Sequence, residues 1–196
     1  MSAHLAAANE CVIAAAATIA LVPEFNYVEV KQALGRLTTP EQRSVAVALA
    51  ELALPFAELT SEGQPVRGIS AVTEEIKTAA TIRAADLARH ELFQIPHFVT
   101  EAEPEGLAWY SFRAISAWIY ATDALTTSPN DGVANVFLCL DDLLDAADDN
   151  LGDTSLAMDL RELLVDQDPK TIAISGMSGK VAEAAARIAE GAARNG

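Results

Sequence analysis

Helix start signals and apolar residues at helical spacing constrain this sequence more than any other feature. The segment Thr39-Pro40-Glu41-Gln42 places a threonine cap before a proline and a glutamine three residues after the cap, as at many helix N-termini. Ser128-Pro129 repeats the cap-then-proline pattern. Hydrophobic residues make up 51% of the chain but aromatic residues only 6%, so the apolar content is largely aliphatic and alanine-rich, which favours helix. The sequence therefore predicts an all-α protein.

The predicted helices follow one another through short connections. A length of 196 residues fits a single core, and no low-complexity linker divides the chain. The run 171–175 is the one extended-looking stretch, and it has no obvious partner strand. We therefore expect one domain over residues 1–196, a single compact multi-helix bundle of about seven or eight helices. The first predicted helices span 3–21 and 27–37, and a third begins at Thr39 and is bent or ended by Pro55. Residues 66–93 form either one long helix or two in tandem, and a central helix covers 106–125. The next helix is opened by Ser128 and closed by Gly152, and the last two span 154–165 and 179–193.

The net charge of −15, from 28 acidic and 13 basic residues, limits the classes of partner. This charge repels phosphate backbones and anionic lipid headgroups, so neither nucleic acid nor a membrane surface is an expected partner. The same charge attracts basic proteins, although acidity is also a common means of staying soluble. A basic protein is the partner that the composition permits.

The two cysteines and the N-terminal apolar run bear on the compartment. Cys11 and Cys139 each lie in an apolar stretch, which favours two small buried side chains over a disulfide or a metal pair. The apolar run 11–22 adjoins Glu10, and no lysine or arginine precedes it. Because it is too short to span a bilayer, it predicts part of a buried helix and not a signal peptide. We expect a cytoplasmic protein.

The segment "LDDLLDAADDN" (140–150) contains the D-D-x-x-D pattern with which prenyl-diphosphate enzymes hold magnesium. The candidate metal ligands are Asp141, Asp142 and Asp145. At about 100° per residue the acids lie largely off the apolar stripe of their helix, which is typical of a solvated face. A diphosphate site would also need a second cluster of oxygen ligands on a distant helix. The solvated face is the favoured interpretation, and a magnesium site is the alternative.

Aromatic residues concentrate in the predicted central helix, where Trp109, Tyr110 and Trp118 mark a possible pocket or interface. Trp109, Phe112 and Trp118 cannot share one helical stripe. The helix must therefore be buried on more than one side or must present an aromatic ring to a partner or small ligand. No nucleophile elbow, phosphate loop, dinucleotide fingerprint or CxxC pair occurs in the sequence, so no catalytic residue and no cofactor is assigned.

Four segments in the middle of the chain resemble the YjaG-like family of small helical bacterial proteins. They are "ELALPFAEL" (51–59), "VRGISAVTEEI" (66–76), "HELFQIP" (90–96) and "WYSFRAISAWIYATDAL" (109–125), and the resemblance covers roughly residues 44–147. It implies a soluble, cytoplasmic, all-α bacterial protein. It implies no activity and no catalytic residues.

Three functions remain open from the sequence. The leading hypothesis is a non-enzymatic protein-interaction domain, such as an immunity or regulatory partner of a basic toxin or enzyme. The alternative is a small magnesium-dependent hydrolase or diphosphate-binding protein that uses the cluster from Asp141 to Asp145. The third is a homo-oligomeric scaffold, because alanine-rich helices pack closely enough to form a homodimer.

Overall fold

Helices occupy nearly all of the chain that the computed structural model describes, which comprises residues 27–60, 68–79, 81–95, 98, 103–165 and 175–195. These residues contain eight α-helices and no strand. The predicted all-α class is therefore confirmed, whereas the predicted helix 3–21 lies outside the described residues. The helices are α1 (Tyr27–Gly35), α2 (Thr39–Ala57), α3 (Ile69–Thr78), α4 (Ile82–Phe93), α5 (Leu107–Thr126), α6 (Pro129–Leu151), α7 (Leu156–Val165) and α8 (Ser175–Asn195).

The first residues of α2 show how the start signals act. The cap is Thr38, one residue earlier than the sequence pattern indicates, and its backbone N–H and hydroxyl both donate to Glu41 Oε2 at 2.8 Å. Gln42 is therefore not the capping partner, and its side-chain amide donates to the carbonyl of Leu34 in α1 at 3.2 Å. Pro55 lies within the last turn of α2, and the helix continues past it to Ala57.

The predicted stretch 66–93 contains two helices. Thr81 has an extended backbone conformation, and its hydroxyl accepts a hydrogen bond from the N–H of Ala84 at 3.2 Å. The first backbone N–H groups of a helix have no acceptor within that helix, and here the Thr81 hydroxyl accepts from one of them. Thr81 therefore starts a new helix and does not continue α3. The helical conformation is therefore interrupted between α3 and α4.

Helix α5 is the centre of the fold, as predicted. It packs most extensively against α6 and α2, and it also contacts α4. Its side chains are buried on most of the circumference, and Trp118 is fully buried. The aromatic residues that cannot share one stripe are accommodated because neighbouring helices cover several sides of α5.

Helices α5 and α6 run antiparallel and approach closely where α6 begins. Tyr110 near the start of α5 donates to the carbonyl of Ala146 near the end of α6 at 3.1 Å. At the other end, Gly132 lies against Ala124, and a Cβ atom added at Gly132 would be 2.6 Å from the Cα of Ala124. Glycine at position 132 is therefore required by the distance between the two backbones.

Two further features complete the fold. Gly152 ends α6 in the left-handed conformation with φ 72°, which glycine adopts without steric cost. In the described part of the chain, no helix combines the length and apolar character that a membrane crossing needs.

We predict that Gly132→Ala lowers the free energy of unfolding by more than about 2 kcal/mol, because the added methyl group meets backbone atoms that cannot move independently. Chemical denaturation monitored by circular dichroism measures the change. Gly179→Ala is the matched control, since a Cβ at this helical position meets no atom within 4 Å. The control should gain roughly 0.5–1 kcal/mol from helix propensity. Equal effects of the two substitutions would contradict the close approach.

Candidate functional site

One face of α5 remains partly exposed, whereas most other residues between its two ends are buried. Five partly exposed residues lie on one side of the helix, because successive members are three, one, seven and three residues apart. They are Trp109, Phe112, Arg113, Tyr120 and Asp123. We call these five residues the α5 face. On one side of this face, Asp123 pairs with Arg89 of α4. On the other side, Arg113 pairs with Asp142 of α6. The α5 face therefore lies between α4 and α6.

Arg113 joins the two regions that the sequence marked separately. Its guanidinium lies 6.0 Å from the centroid of the Trp109 ring, and its Nη2 atom pairs with Oδ2 of Asp142. The indole Nε1 of Trp109 donates to Glu103 Oε1 at 2.8 Å, which fixes the orientation of the ring. An aromatic ring, a guanidinium and a carboxylate thus lie side by side on the surface.

The α4 side of the face has a similar arrangement. Arg89 pairs with Asp123 at 2.9 Å, and its guanidinium lies 4.9 Å from the centroid of the Phe93 ring. The Phe93 ring is in edge contact with Phe98, which stacks on Phe112 at a centroid distance of 4.7 Å. Partly exposed rings therefore continue from the α5 face onto α4.

The prediction that the aspartates form one solvated face is wrong for Asp141, which is 4% exposed. Arg161 of α7 donates to both of its carboxylate oxygens, from Nε at 2.7 Å and from Nη2 at 2.9 Å. Burial raises the pKa of the Asp141 carboxyl, and the hydrogen bonds from Arg161 oppose this without cancelling it. Asp141 is buried because α7 packs over this side of α6, which no property of α6 alone indicates.

Asp148 also has a structural role. Its carboxylate accepts hydrogen bonds from the backbone N–H groups of Leu156 and Ala157, each at 2.9 Å, and from the Thr154 hydroxyl at 2.5 Å. The two backbone N–H groups belong to the first turn of α7, where backbone donors have no partner within the helix, and an acid at this position also interacts favourably with the helix dipole. Asp148 therefore fixes the start of α7 relative to the end of α6.

Three aspartates in the C-terminal half of α6 remain at the surface. The side chains of Asp142 and Asp145 are 54% and 60% exposed, and Asp149 is exposed as well. They follow the spacing i, i+3, i+7 and form one line along the helix, which we call the acidic stripe. Because Asp142 also pairs with Arg113, the acidic stripe adjoins the α5 face.

The candidate metal ligands do not converge on one point. Asp141 is held by Arg161, Asp142 by Arg113, and Asp145 lies 3.5 Å from Arg161. Within the described ranges, no group of three histidine, cysteine or acidic side chains is placed to hold a metal ion. The geometry lends no support to a magnesium site, so this alternative stays a prediction that a binding measurement must test.

Of the three aromatic candidates, only Trp109 is available at the surface. Trp118 is 0% exposed and belongs to the core, where its Nε1 has no acceptor, so its assignment to a pocket or interface is corrected. Tyr110 is also buried, since its ring stacks on Phe56 at 5.7 Å and its hydroxyl binds the carbonyl of Ala146. Both rings face helices that pack around α5, which explains the correction.

The titratable groups beside the α5 face are held in protonated or paired forms. Burial raises the pKa of the Cys139 thiol to about 11 and raises the pKa of the Tyr120 hydroxyl. Burial also raises the pKa of the Asp123 carboxyl, against the effect of Arg89. A thiol with so high a pKa carries little thiolate at neutral pH, so Cys139 is not suited to act as a nucleophile.

A pocket of about 300 Å³ lies elsewhere, between the α6–α7 turn and α8. Two ion pairs join its lining residues, Arg187 with Asp153 at 2.8 Å and Lys180 with Asp159 at 2.7 Å. These ion pairs tie α8 to the turn and to α7. No candidate from the sequence lies in this pocket.

Sequence reasoning missed the two arginines that organise the site. Arg113 follows Trp109 by four residues in the same helix, and that spacing is a signal that local analysis can detect. Arg161 is 20 residues from Asp141 on another helix, so no local spacing indicates the pair.

Comparison of the chain with protein-family models, curated proteins and solved structures found no match. The resemblance to the YjaG-like family therefore stays a prediction, and the site must be interpreted from its own geometry.

We predict that Asp141→Asn lowers the free energy of unfolding by roughly 1–2 kcal/mol, since it places an NH₂ group against the Arg161 guanidinium while removing a buried charge. Asp145→Asn is the matched control on the same helix. It should change stability by less than about 1 kcal/mol, because exposed ion pairs contribute little. Urea denaturation of both variants measures the difference, and a larger loss for Asp145→Asn would contradict the assigned burial.

We also predict that Cys139 resists alkylation in the folded protein. At pH 8, a pKa of about 11 in place of 9.0 lowers the thiolate fraction roughly 100-fold, and burial further restricts access. The measurement follows the reaction with a disulfide reagent in a Cys11→Ser background, with and without denaturant. Fast labelling of the native protein at Cys139 would show that the thiol is more accessible than the structure indicates.

Proposed function

We propose that this protein is a non-enzymatic, cytoplasmic protein-interaction domain that binds a basic protein through the acidic stripe and the adjoining α5 face. The observation that carries the proposal is the line of exposed carboxylates at Asp142, Asp145 and Asp149, beside the partly exposed ring of Trp109. Regulation or inhibition of a basic enzyme or toxin is the role that fits such a domain.

The distribution of ion pairs supports a negative binding surface. Many of the described basic side chains are paired with carboxylates of the same chain, so they do little to attract an acidic partner. The chain has 28 acidic residues against 13 basic ones, so a large excess of negative charge remains after these pairs form. The paired basic residues are Lys31, Lys77, Arg89, Arg113, Arg161, Lys180 and Arg187.

The rigidity of α6 also supports the proposal. The residues from Gly132 to Asp141 are buried or half-buried, and the fully buried Leu140 and Leu144 anchor the segment that carries the stripe. Carboxylates on a fixed helix lose little conformational freedom on binding, which reduces the cost of association. Tryptophan and arginine, the residues at the edge of the stripe, are those most enriched among energetically dominant interface residues.

The test compares three immobilised forms of the protein as baits in a lysate of the source organism at low and high salt. We expect the wild type to retain a basic protein, and Asp145→Asn/Asp149→Asn to lose it. Glu183→Gln/Glu190→Gln is the matched control, because it removes the same charge from exposed positions of α8. The control should retain the partner, and high salt should weaken binding to both.

Calorimetry with the purified partner then gives the affinities of the three forms. The proposal is wrong if no protein is retained above a blank matrix at low salt. It is also wrong if the stripe variant and the α8 control bind the partner equally well. Light scattering of the free protein tests the remaining prediction of a homodimer.

A further inference from the structure

We infer that the α5 face recognises an arginine side chain of the partner, and that Arg113 occupies this position in the free protein. The inference rests on the proposed function and names the chemical group that the partner presents. Its basis is the arrangement of Trp109, Arg113 and Asp142, in which one guanidinium contacts both a ring and a carboxylate of the surface.

Arginine is the side chain that this arrangement fits best. A guanidinium is planar, stacks on aromatic rings and pairs with a carboxylate at the same time, whereas an ammonium group is compact and strongly hydrated. The ring of Trp109 and the carboxylate of Asp142 provide these two partners next to each other. The chain's own Arg113 shows that a guanidinium fits between them.

The intramolecular contact leaves Arg113 incompletely satisfied. Its Nε atom is buried and has no hydrogen-bond partner, so the folded protein bears the cost of desolvating that donor. An arginine that arrives from a partner is not constrained by the α5 backbone and can orient all of its donors. Displacement of Arg113 by a partner arginine therefore exchanges a constrained contact for a less constrained one.

The same features recur on the α4 side. Arg89 lies over the Phe93 ring and pairs with Asp123, and its Nε atom is likewise buried without a partner. Arg113 and Asp123 are ten residues apart along α5, a rise of about 15 Å. The α5 face thus has two positions where a guanidinium meets a ring and a carboxylate, and the acidic stripe adds attraction beside the first.

The test measures binding of a fluorescein-labelled hexa-arginine peptide by fluorescence anisotropy at low ionic strength, with hexa-lysine for comparison. We expect the wild type to bind hexa-arginine more tightly than hexa-lysine. Trp109→Leu should weaken hexa-arginine binding at least about fivefold, because the stacking surface is lost. Tyr27→Leu, which removes a half-buried ring from α1, should leave the affinity unchanged.

Substitution of Arg113 distinguishes displacement from simple attraction. Arg113→Gln should tighten hexa-arginine binding at least about threefold more than Arg187→Gln does, because only the first vacates the position beside Trp109. Arg187 is the matched control, since it also pairs with an exposed aspartate, Asp153. Arg113→Lys keeps the net charge and should still tighten binding, and circular dichroism confirms that each variant is folded.

Two sets of outcomes overturn the inference. If hexa-arginine binds the wild type, Trp109→Leu and both Arg113 variants equally well, recognition at Trp109 is wrong while the acidic interaction surface stands. If Arg187→Gln tightens binding as much as Arg113→Gln, and Arg113→Lys has no effect, only the net charge matters. Loss of partner capture by all baits would instead show that the proposed function itself is wrong.

Discussion

The close packing of α5 against α6 is the contact on which the rest of the structure depends. The backbones approach at Gly132 and Ala124, where Gly132 contributes no side chain to the contact. Along the same pair, Tyr110 binds the carbonyl of Ala146, so the two helices are joined near both ends. Because α1, α2, α4, α7 and α8 each pack on one or both of these helices, a change in their separation would displace these elements.

Arginines compensate for a strongly acidic composition at the positions where helices meet. Arg161 links α7 to Asp141 of α6, Arg113 links α5 to Asp142, and Arg89 links α4 to Asp123. Each pair neutralises a carboxylate at a helix–helix boundary and leaves other acids of the same helix in solvent. The protein therefore keeps its large negative charge at the surface while its helix contacts are nearly neutral.

Local sequence signals located most of the described helices but only part of the candidate site. Ser128 and Gly152 mark the ends of α6 as predicted, and the cap of α2 lies one residue before the predicted Thr39, because capping depends on neighbours in sequence. The aspartates of α6 were recognised as a group, yet Asp141 and Asp148 proved to be structural, since their partners are side chains and backbone groups contributed from beyond α6. Trp118 could not be distinguished from Trp109 by pattern, because both are aromatic residues of one apolar helix.

The sequence by itself determined the class of the fold, the positions of the described helices within a few residues and the sign of the surface charge. These properties follow from local propensity, capping and composition, which act over a few residues or over the chain as a whole. The tertiary structure alone decided which carboxylates are buried, which ring reaches the surface and which arginine pairs with Asp141. Those properties depend on contacts between helices that are distant in sequence, such as the hydrogen bond from Ser111 to the carbonyl of Ala57, 54 residues away. Packing geometry rather than spacing along the chain sets such contacts.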